Sequence, residues 1–241
     1  MVDGLSLDIE EKTFFALVGE SGCGKTTTLK MINRLIEPTR GDIWVDNKKT
    51  SDHDAIELRR QVGYVFQGIG LFPHMTVEEN IGVVPKLLGW DKGKIDARID
   101  FLLDVVGLGS KEFLAKYPRQ MSGGQRQRIG FARALAGKPS VLLMDEPFGA
   151  LDPVTRESLQ NEVLEIHKRL ELTTVMVTHD MAEALLLADK IAVMHEGKIL
   201  QVGTPPELLR SPKTPYIEQL LSTPKAQAKK ITAMMNEAGQ S

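Results

Sequence analysis

The sequence predicts an α/β fold in which a mostly parallel β-sheet carries helices on its faces. Three observations support this fold. Short apolar segments typical of buried strands alternate with longer segments whose apolar residues recur at helical spacing. A glycine-rich turn from Gly19 to Thr26 joins the first such strand to the first helix. A second compact apolar segment, Val141 to Met144, ends in two adjacent acidic residues.

The first elements along the chain are predicted to be a strand, a helix and two further strands. The apolar run from Thr13 to Val18 ends at a glycine and is typical of a buried strand. From Lys25 to about Leu35, apolar residues recur at three-residue steps, as on one face of a helix. Further strands are predicted at Gly41 to Val45 and Gln61 to Phe66, and Asp46-Asn47 between them has turn chemistry.

The middle of the chain, from about Thr76 to Ala136, has the pattern of helices. Thr76 followed by Glu79 is the capping-box pattern that begins a helix. Apolar residues then repeat at helical spacing at Ile95, Ile99, Leu102, Leu103 and Val106. Because strand-rich segments flank this block, we interpret it as a subdomain inserted into one core.

The last third of the chain returns to the alternation of strands and helices. Val141 to Met144 is predicted to be a strand, Pro153 to Leu170 a helix, and Thr174 to Val177 another strand. From Thr204 onward, prolines are expected to divide the chain into short helices, at positions 205, 206, 212, 215 and 224. The final segment, with Ile231, Met234 and Met235 among lysines, is interpreted as a packed or frayed tail, with an amphipathic membrane-contacting helix as the alternative.

The composition excludes several classes of protein. Hydrophobic residues make up 42% and charged residues 26% of the 241 residues, and the net charge of −2 does not favour a broad nucleic-acid surface. The single cysteine, Cys23, excludes a disulfide framework. The longest apolar runs fall far short of the ~20 residues that span a bilayer, and the acidic start does not resemble a secretory leader. We therefore expect a protein of a reducing compartment that acts at a membrane only through another chain.

The strongest motif is the segment Gly19-Glu-Ser-Gly-Cys-Gly-Lys-Thr26, which fits the phosphate-loop pattern G-x-x-x-x-G-K-[ST]. Its glycines free the backbone so that successive N–H groups can wrap a polyphosphate, and the following helix adds its partial positive charge. Lys25 would reach the β and γ phosphates, and the Thr26 hydroxyl would ligate Mg²⁺. The alternative is an ordinary glycine-rich turn. The predicted phosphate-binding residues are Gly19, Ser21, Gly22, Cys23, Gly24, Lys25, Thr26 and Thr27.

Two further motifs carry polar groups suited to phosphate chemistry. Asp145 ends a buried strand and could hold Mg²⁺, while Glu146 could orient or deprotonate an attacking water; a solvated loop is the alternative. The predicted second anion cradle comprises Ser122, Gly123, Gly124 and Gln125. This motif alone is more often a turn. A chain with two anion-binding helix starts and one bound nucleotide is explained if two copies pair head to tail. Each copy then closes the site of the other.

Taken in order, these motifs resemble those of ABC transporter ATPase subunits. The resemblance extends over nearly the whole chain and also includes Gln67, Ala150-Leu151-Asp152 and His179. Within that family the chain is similar to ATPases of importers for quaternary-amine osmoprotectants such as glycine betaine, proline betaine, choline or carnitine. The stretches that carry this similarity are Lys30 to Pro38, Ile69 to His74, Met144 to Thr155 and Thr178 to Ala184.

The resemblance implies a single nucleotide-binding domain with a P-loop NTPase (RecA-like) core, a mostly parallel sheet, a small antiparallel β part and an inserted α-helical subdomain. The core would comprise residues 1–68 and 139–212, the helical subdomain 69–138, and a helical tail 213–241.

The resemblance also implies roles for individual residues. Gln67 would sense the γ-phosphate and would be a ligand of Mg²⁺ beside Thr26 and Asp145. His179 would hydrogen-bond the γ-phosphate and keep Glu146 and the water aligned. Ser122 and Gly124 would touch the γ-phosphate held by a second copy. The implied role of Asp152 is to cross the dimer interface, which is compatible with capping the helix that follows it. The groove for a helix of the membrane subunit would be lined by Phe72, Pro73 and His74.

The implied function is ATP hydrolysis, with Mg²⁺, that powers an importer. The implied partners are a second copy, transmembrane permease subunits and indirectly a solute-binding protein, at the cytoplasmic face of the inner (plasma) membrane and without nucleic acid. The alternatives are an importer of amino acids or polyamines, a soluble ABC ATPase of DNA repair or translation, and a nucleotide-sensing protein with little turnover.

The sequence departs from the family pattern in two places. It enters the pattern late, so the aromatic residue on which adenine stacks has no upstream candidate and weakened adenine recognition is expected. Phe14 and Phe15 are expected in the core, and Cys23 is expected to be a small filler of the loop. Met121 replaces a leucine of similar volume. No tandem regulatory module is expected beyond Ser241.

Overall fold

The structure is a computed structural model that describes residues 2–68, 70–109 and 111–238. Its eight described strands are β1 (Phe14–Val18), β2 (Trp44–Val45), β3 (Lys48–Lys49), β4 (Val62–Val65), β5 (Val141–Asp145), β6 (Thr173–Thr178), β7 (Lys190–His195) and β8 (Lys198–Gly203). The described helices are α1 (Lys25–Ile32), α2 (Ala55–Gln61), α3 (Val77–Leu87), α4 (Lys92–Val105), α5 (Gly123–Leu135), α6 (Pro153–Arg169), α7 (Met181–Leu187), α8 (Pro205–Arg210) and α9 (Pro215–Ala238). The proposed boundary at Ile69 and the chain end at Ser241 lie outside the described residues.

A six-stranded sheet in the order β4-β5-β6-β1-β7-β8 forms the centre of the molecule. Among the described pairs of this sheet, only β7–β8 is antiparallel, which confirms the predicted mostly parallel sheet. In the register, Val18 of β1 lies opposite Thr178 of β6, and Val177 of β6 lies opposite Asp145 of β5. The three strands therefore end side by side, and the segments that follow them meet at one edge of the sheet.

The core covers both faces of this sheet. In β1, Phe14 and Ala16 pack into one apolar cluster, while Phe15 and Leu17 pack into a second cluster on the opposite face. A strand buried on both faces is a continuous apolar run, which is the pattern of a central parallel strand. Phe14 and Phe15 are fully buried, as predicted.

The helices between residues 77 and 135 follow the predicted pattern. Thr76 caps α3 in a capping box with Glu79, as the sequence predicts. The apolar residues of α4 are buried at the predicted positions, Ile95, Ile99, Leu102 and Leu103. Helices α3 and α4 pack on α5, and α5 also packs on β4, so this block is joined to the main sheet.

The predicted helix from Lys25 to Leu35 is three residues too long. Helix α1 ends at Ile32, and Arg34 follows in the left-handed conformation with φ +49°. The N–H groups of Arg34 and Leu35 donate to the carbonyls of Met31 and Lys30, which is a Schellman termination. Leu35 is 44% exposed and lies outside the buried face, although its spacing continues the helical pattern.

The segment from 41 to 66 also differs from the prediction. Only Trp44–Val45 of the predicted strand is paired, in an antiparallel hairpin with β3. Asp46 and Asn47 at its turn both have positive φ, the geometry of a type I′ turn, which confirms their predicted turn chemistry. The sequence pattern does not predict helix α2; the side chain of Asp54 caps this helix by accepting from the N–H groups of its first turn.

The C-terminal part is not divided into short helices throughout. Pro205 begins the short helix α8, but α9 continues for 24 residues with Pro224 inside it. Met234 and Met235 are exposed, and the side chain of Ile231 lies outside the described part of the chain. No helix within residues 2–68, 70–109 and 111–238 is both long and apolar enough to cross a bilayer.

Candidate active site

Polar residues converge where β1, β5 and β6 end. The glycine-rich loop follows β1, Glu146 follows β5, and His179 follows β6. Because these strands are parallel and neighbours in the sheet, their following segments meet outside one sheet edge, the usual ligand position in such folds.

The loop between β1 and α1 is closely packed, which explains why two of its positions are glycine. A Cβ atom on Gly19 would lie 2.0 Å from the carbonyl oxygen of Met194, so no other residue fits there. Gly24 has φ +111°, and a Cβ on it would also meet the Met194 side chain at 2.8 Å. Helix α1 begins at this loop without a side-chain cap or an acidic residue in its first turn. Its N-terminal amides and partial positive charge are therefore available to an anion.

Lys25 lies folded against its own loop. The residue is 5% exposed, and Nζ donates to the carbonyl oxygens of Gly19 at 2.7 Å and of Glu20 at 2.8 Å. The sulfur of Cys23, itself buried, lies 3.8 Å from the same nitrogen. The ammonium group is thus held inside the loop.

The remaining predicted phosphate-binding residues lie nearer the surface of this loop and of the first turn of α1. Ser21, Gly22 and Thr27 are exposed, and Gly24 and Thr26 are half-buried. The buried lysine therefore lies beneath a loop whose outer face is open to a ligand.

Thr26 and Asp145 are brought together across the sheet edge. The Thr26 hydroxyl donates to Asp145 Oδ1 at 2.8 Å, and the hydroxyl of Tyr64 donates to Oδ2 at 3.4 Å. Burial, reinforced by the charge of Asp145, raises the pKa of Tyr64, so its hydroxyl stays protonated as a donor. The sequence predicts Asp145 at this site, but nothing in its pattern identifies Tyr64, which is 81 residues away.

Glu146 is held in a strained conformation by specific contacts. Its φ is +45°, a region that costs a non-glycine residue about 1–3 kcal/mol. Its N–H donates to the Val177 carbonyl at 3.0 Å. Its Oε2 atom accepts from Gln67 Nε2 at 3.2 Å and lies 3.3 Å from His179 Nδ1. The three predicted catalytic residues therefore share one carboxylate oxygen.

A buried acidic residue supports the turn that carries His179. Glu183 is 6% exposed and accepts from the Thr178 hydroxyl at 2.7 Å, while Thr178 Oγ1 accepts from the Asp180 N–H at 3.0 Å. Gln160 donates to the other oxygen of Glu183 at 3.4 Å. Burial raises the pKa of Glu183. The sequence pattern does not identify Glu183 as a site residue, because an acidic residue in a short helix has no distinguishing pattern.

The second predicted cradle begins helix α5. Ser122 caps the helix in a reciprocal pair with Gln125, whose side chain accepts from the Ser122 N–H. Gly124 lies against α6, where a Cβ would come within 2.7 Å of the Thr155 methyl group. Gly123 has open space around it. Among the described residues, no hydrogen bond or ion pair joins this motif to the loop of residues 19–26.

One contact joins α5 to the residue after Glu146, and a second one caps the next helix, α6. Gln127 of α5, buried at 4% exposure, donates to the carbonyl of Pro147, the residue after Glu146. Asp152 caps α6 by accepting from the Thr155 N–H at 3.1 Å, and hydrogen bonding by the Thr155 side chain and backbone lowers the pKa of Asp152. Capping of the helix by Asp152 is therefore present, as the sequence allows. A glutamine inside a polar helix carries no distinguishing pattern, so the sequence does not identify Gln127.

The oxygen donors at the strand ends suit Mg²⁺. Asp145 and Thr26 supply a carboxylate and a hydroxyl oxygen that already lie in contact. Within residues 2–68, 70–109 and 111–238, no three His, Cys, Asp or Glu side chains form a metal-binding group. Mg²⁺ is commonly held by one or two carboxylates together with substrate phosphates, which fits this donor set. The side chain of Gln67, the third predicted ligand, contacts Glu146.

Comparison with known proteins agrees with this site. The family model described as ABC transporter matches residues 2–149. The osmoprotectant import ATP-binding protein OsmV of Salmonella typhimurium is 54% identical over 216 residues, which cover 90% of this chain and 56% of that protein. The glycine betaine/carnitine/choline transport ATP-binding protein OpuCA of Bacillus subtilis is 53% identical over 220 residues, 91% of this chain and 58% of that protein. The chain thus spans little more than half the length of these relatives.

A solved structure supports the same assignment. The ATP-binding cassette MJ0796, a dimer in a post-hydrolysis state bound to ADP and Pi, has a TM-score of 0.75 and 33% sequence identity to this chain. The match covers 85% of this chain and 90% of that one. The family match extends over more than half of the chain and includes the glycine-rich loop, the Ser122–Gln125 motif and both strand-end carboxylates. The chain therefore belongs to the ATP-binding domains of the ABC transporter family.

Proposed function

We propose that this protein binds ATP with Mg²⁺ and hydrolyses it to power an importer of quaternary-amine osmoprotectants. The observation that carries the proposal is the convergence of three parts at one sheet edge. These parts are the open amide end of α1, the Thr26–Asp145 pair, and a Glu146 carboxylate in contact with both Gln67 and His179.

Binding of the triphosphate would use the loop of residues 19–26. The amides of the loop and of α1 would hold the phosphate oxygens, and Lys25 would leave the carbonyls of its own loop for the β and γ phosphates. Thr26 and Asp145 would hold Mg²⁺, which would offset the negative charge of the phosphate groups.

Hydrolysis would depend on Glu146. A water molecule attacks the γ-phosphorus in line with the bond to ADP; the new P–O bond forms as the bond to the β-phosphate oxygen breaks. The Glu146 carboxylate accepts the proton of that water or orients the water for attack. Contacts with Gln67 and His179 hold this carboxylate in place. Glu146 has a positive φ directly after β5, and the hydrogen bond from its N–H to the Val177 carbonyl holds this conformation.

A second copy of the chain would complete the site. The Ser122–Gln125 motif begins α5 and makes no hydrogen bond to the loop of residues 19–26 within the described part of the same chain. In a head-to-tail pair, Ser122 and Gly124 would reach the γ-phosphate bound by the other copy, and Asp152 would lie near the interface. The dimeric state of MJ0796 supports the pairing of two copies.

The site would be coupled to membrane-spanning permease subunits at the cytoplasmic face of the inner membrane. Gln67 connects Glu146 to the segment that enters α3, where Phe66 and Phe72 are 41% and 39% exposed. Exposed aromatic residues beside a catalytic contact suit the surface that receives a permease helix. A solute-binding protein would act on the opposite side of such an importer.

The solute class rests on the relatives. OsmV and OpuCA are named for osmoprotectant import and for glycine betaine, carnitine and choline transport. An uptake assay with the permease subunits in proteoliposomes tests this class. We expect ATP-dependent uptake of radiolabelled glycine betaine or choline in preference to spermidine or histidine; uptake of only spermidine or histidine would reassign the importer.

Phosphate release from MgATP tests the enzymatic part of the proposal. We expect turnover by the unaltered protein and almost none by Lys25→Ala, whereas the exposed Lys92→Ala on α4 serves as the control. Mixing the Lys25→Ala and Ser122→Arg variants tests the pairing. In a mixed head-to-tail dimer, one of the two sites combines the intact loop of the Ser122→Arg chain with the intact Ser122–Gln125 motif of the Lys25→Ala chain. Recovery of activity on mixing supports the pairing, and an inactive mixture opposes it.

A further inference from the structure

The peptide group between Gly19 and Glu20 is hydrogen-bonded at both of its ends. Its carbonyl oxygen, on Gly19, accepts from Lys25 Nζ at 2.7 Å. Its N–H, on Glu20, donates to the hydroxyl oxygen of Tyr216 at 3.1 Å. Because a peptide group is planar, fixing the N–H direction also fixes the direction of the carbonyl that holds the lysine.

Tyr216 lies in the first turn of α9, 196 residues from its partner. The next residue, Ile217, and Leu221 one turn later are 0% and 1% exposed in the main core cluster. The Tyr216 ring packs on the ring of His195 with a centroid distance of 4.1 Å. The hydroxyl is thus presented to the loop by a helix end anchored in the core.

The segment leading into α9 is also held in place. Gln201 of β8, 6% exposed, donates to the Ser211 carbonyl at 3.1 Å and accepts from the Lys213 N–H at 2.8 Å. On the loop side, the Glu20 carboxylate lies 2.8 Å from His195 Nδ1. The beginning of α9 and the beginning of the glycine-rich loop therefore form one connected unit.

We propose that Tyr216 is a positioning residue for the backbone of the phosphate-binding loop, through the Gly19–Glu20 peptide group. This inference rests on the proposed function, because it assumes that the loop binds ATP. Lys25 leaves the Gly19 carbonyl when the triphosphate binds, whereas the hydrogen bond from the Glu20 N–H to Tyr216 stays in place. A loop backbone that is already held loses less conformational freedom on binding, which favours affinity. The chemical step depends on Glu146 and is not affected by this hydrogen bond.

The expected signature is a change in affinity without a change in turnover. Loss of a single neutral hydrogen bond of this type corresponds to about a two- to tenfold change in an equilibrium constant. Tyr216→Phe removes only the hydroxyl and keeps the ring on His195. We expect this variant to bind ATP about two- to tenfold more weakly, with a matching rise in KM and an unchanged kcat.

The experiment uses the full chain with ATP and Mg²⁺ in calorimetric titrations and in steady-state phosphate release. Tyr117→Phe removes the same atom from an exposed ring and is the control. An unchanged ATP affinity in Tyr216→Phe would overturn the inference, as would a fall in kcat alone. A lowered melting temperature with unaltered affinity would assign Tyr216 a purely structural role. If the unaltered protein binds no ATP, the proposed function fails instead, so the two failures are distinguishable.

Discussion

The hydroxyl of Thr26 donates a 2.8 Å hydrogen bond to Oδ1 of Asp145, although strand β6 lies between the strands that lead to these residues. Thr26 follows β1 through the glycine-rich loop, and Asp145 is the last residue of β5. The contact therefore bridges the ends of three adjacent strands. It brings the carboxylate that ends β5 next to the glycine-rich loop, which is where we predict that Mg²⁺ binds.

Replacement of Asp145 by asparagine should reduce the benefit that Mg²⁺ gives to ATP binding. The amide keeps an oxygen for the Thr26 hydroxyl, places an NH₂ donor opposite the Tyr64 hydroxyl, and removes the negative charge that attracts the cation. We expect ATP affinity in Mg²⁺ to fall by more than about tenfold, and affinity in excess EDTA to change little. Calorimetric titrations under both conditions measure the difference. An equal loss with and without Mg²⁺ would contradict the assignment of Asp145 to the metal.

Replacement of Gly124 by alanine should destabilise the protein through a clash with α6. The added Cβ would lie 2.7 Å from the Thr155 methyl carbon, closer than real Cβ contacts come. Overpacking of this kind costs about 1–3 kcal/mol, which urea unfolding of the nucleotide-free protein measures. The double variant Gly124→Ala/Thr155→Ser removes that methyl group and should recover most of the free energy of unfolding that Gly124→Ala loses. Failure of the second substitution to restore stability would show that the clash is not the cause.

The buried carboxyl of Glu183 should make stability fall as the pH rises above about 4.5. Burial raises the pKa of Glu183 in the folded protein, so the folded state holds more protons than the unfolded state between the two pKa values. Stability in that window therefore decreases with rising pH. Glu183→Gln removes this contribution. The free energy of unfolding of the variant minus that of the unaltered protein should therefore increase from pH 5 to pH 8. A difference that stays constant over this range would show that burial of Glu183 does not cause the pH dependence.

Sequence patterns predict the parts of the site that depend on short segments. An apolar run that ends in Asp145-Glu146 and a glycine-rich turn after another apolar run place both groups at strand ends, and parallel pairing then brings them together. The roles of these residues, and of Ser122 and Asp152 across a dimer, remain predictions. Helix ends are less predictable, since the left-handed Arg34 stops α1 where apolar spacing would continue it.

Contacts between distant segments could not be predicted. Tyr64 to Asp145, Gln127 to Pro147 and Glu20 to Tyr216 join residues 81, 20 and 196 positions apart. Each depends on which helix packs over which strand end, and this packing is decided by the whole core. The Asp54 cap that begins α2 is a local signal, but a single aspartate before a charged segment is also common in turns.

The rate of phosphate release by Glu146→Gln, measured together with ATP binding, tests the central claim most directly. The amide keeps the size of the side chain and its contacts with Gln67 and His179, but it cannot accept the proton of the attacking water. Glu165→Gln, at an exposed position on α6, is the matched control. We predict that Glu146→Gln binds MgATP as tightly as the unaltered protein, remains in the paired state and releases phosphate at least about a hundredfold more slowly. Phosphate release at the unaltered rate would contradict the catalytic role of Glu146.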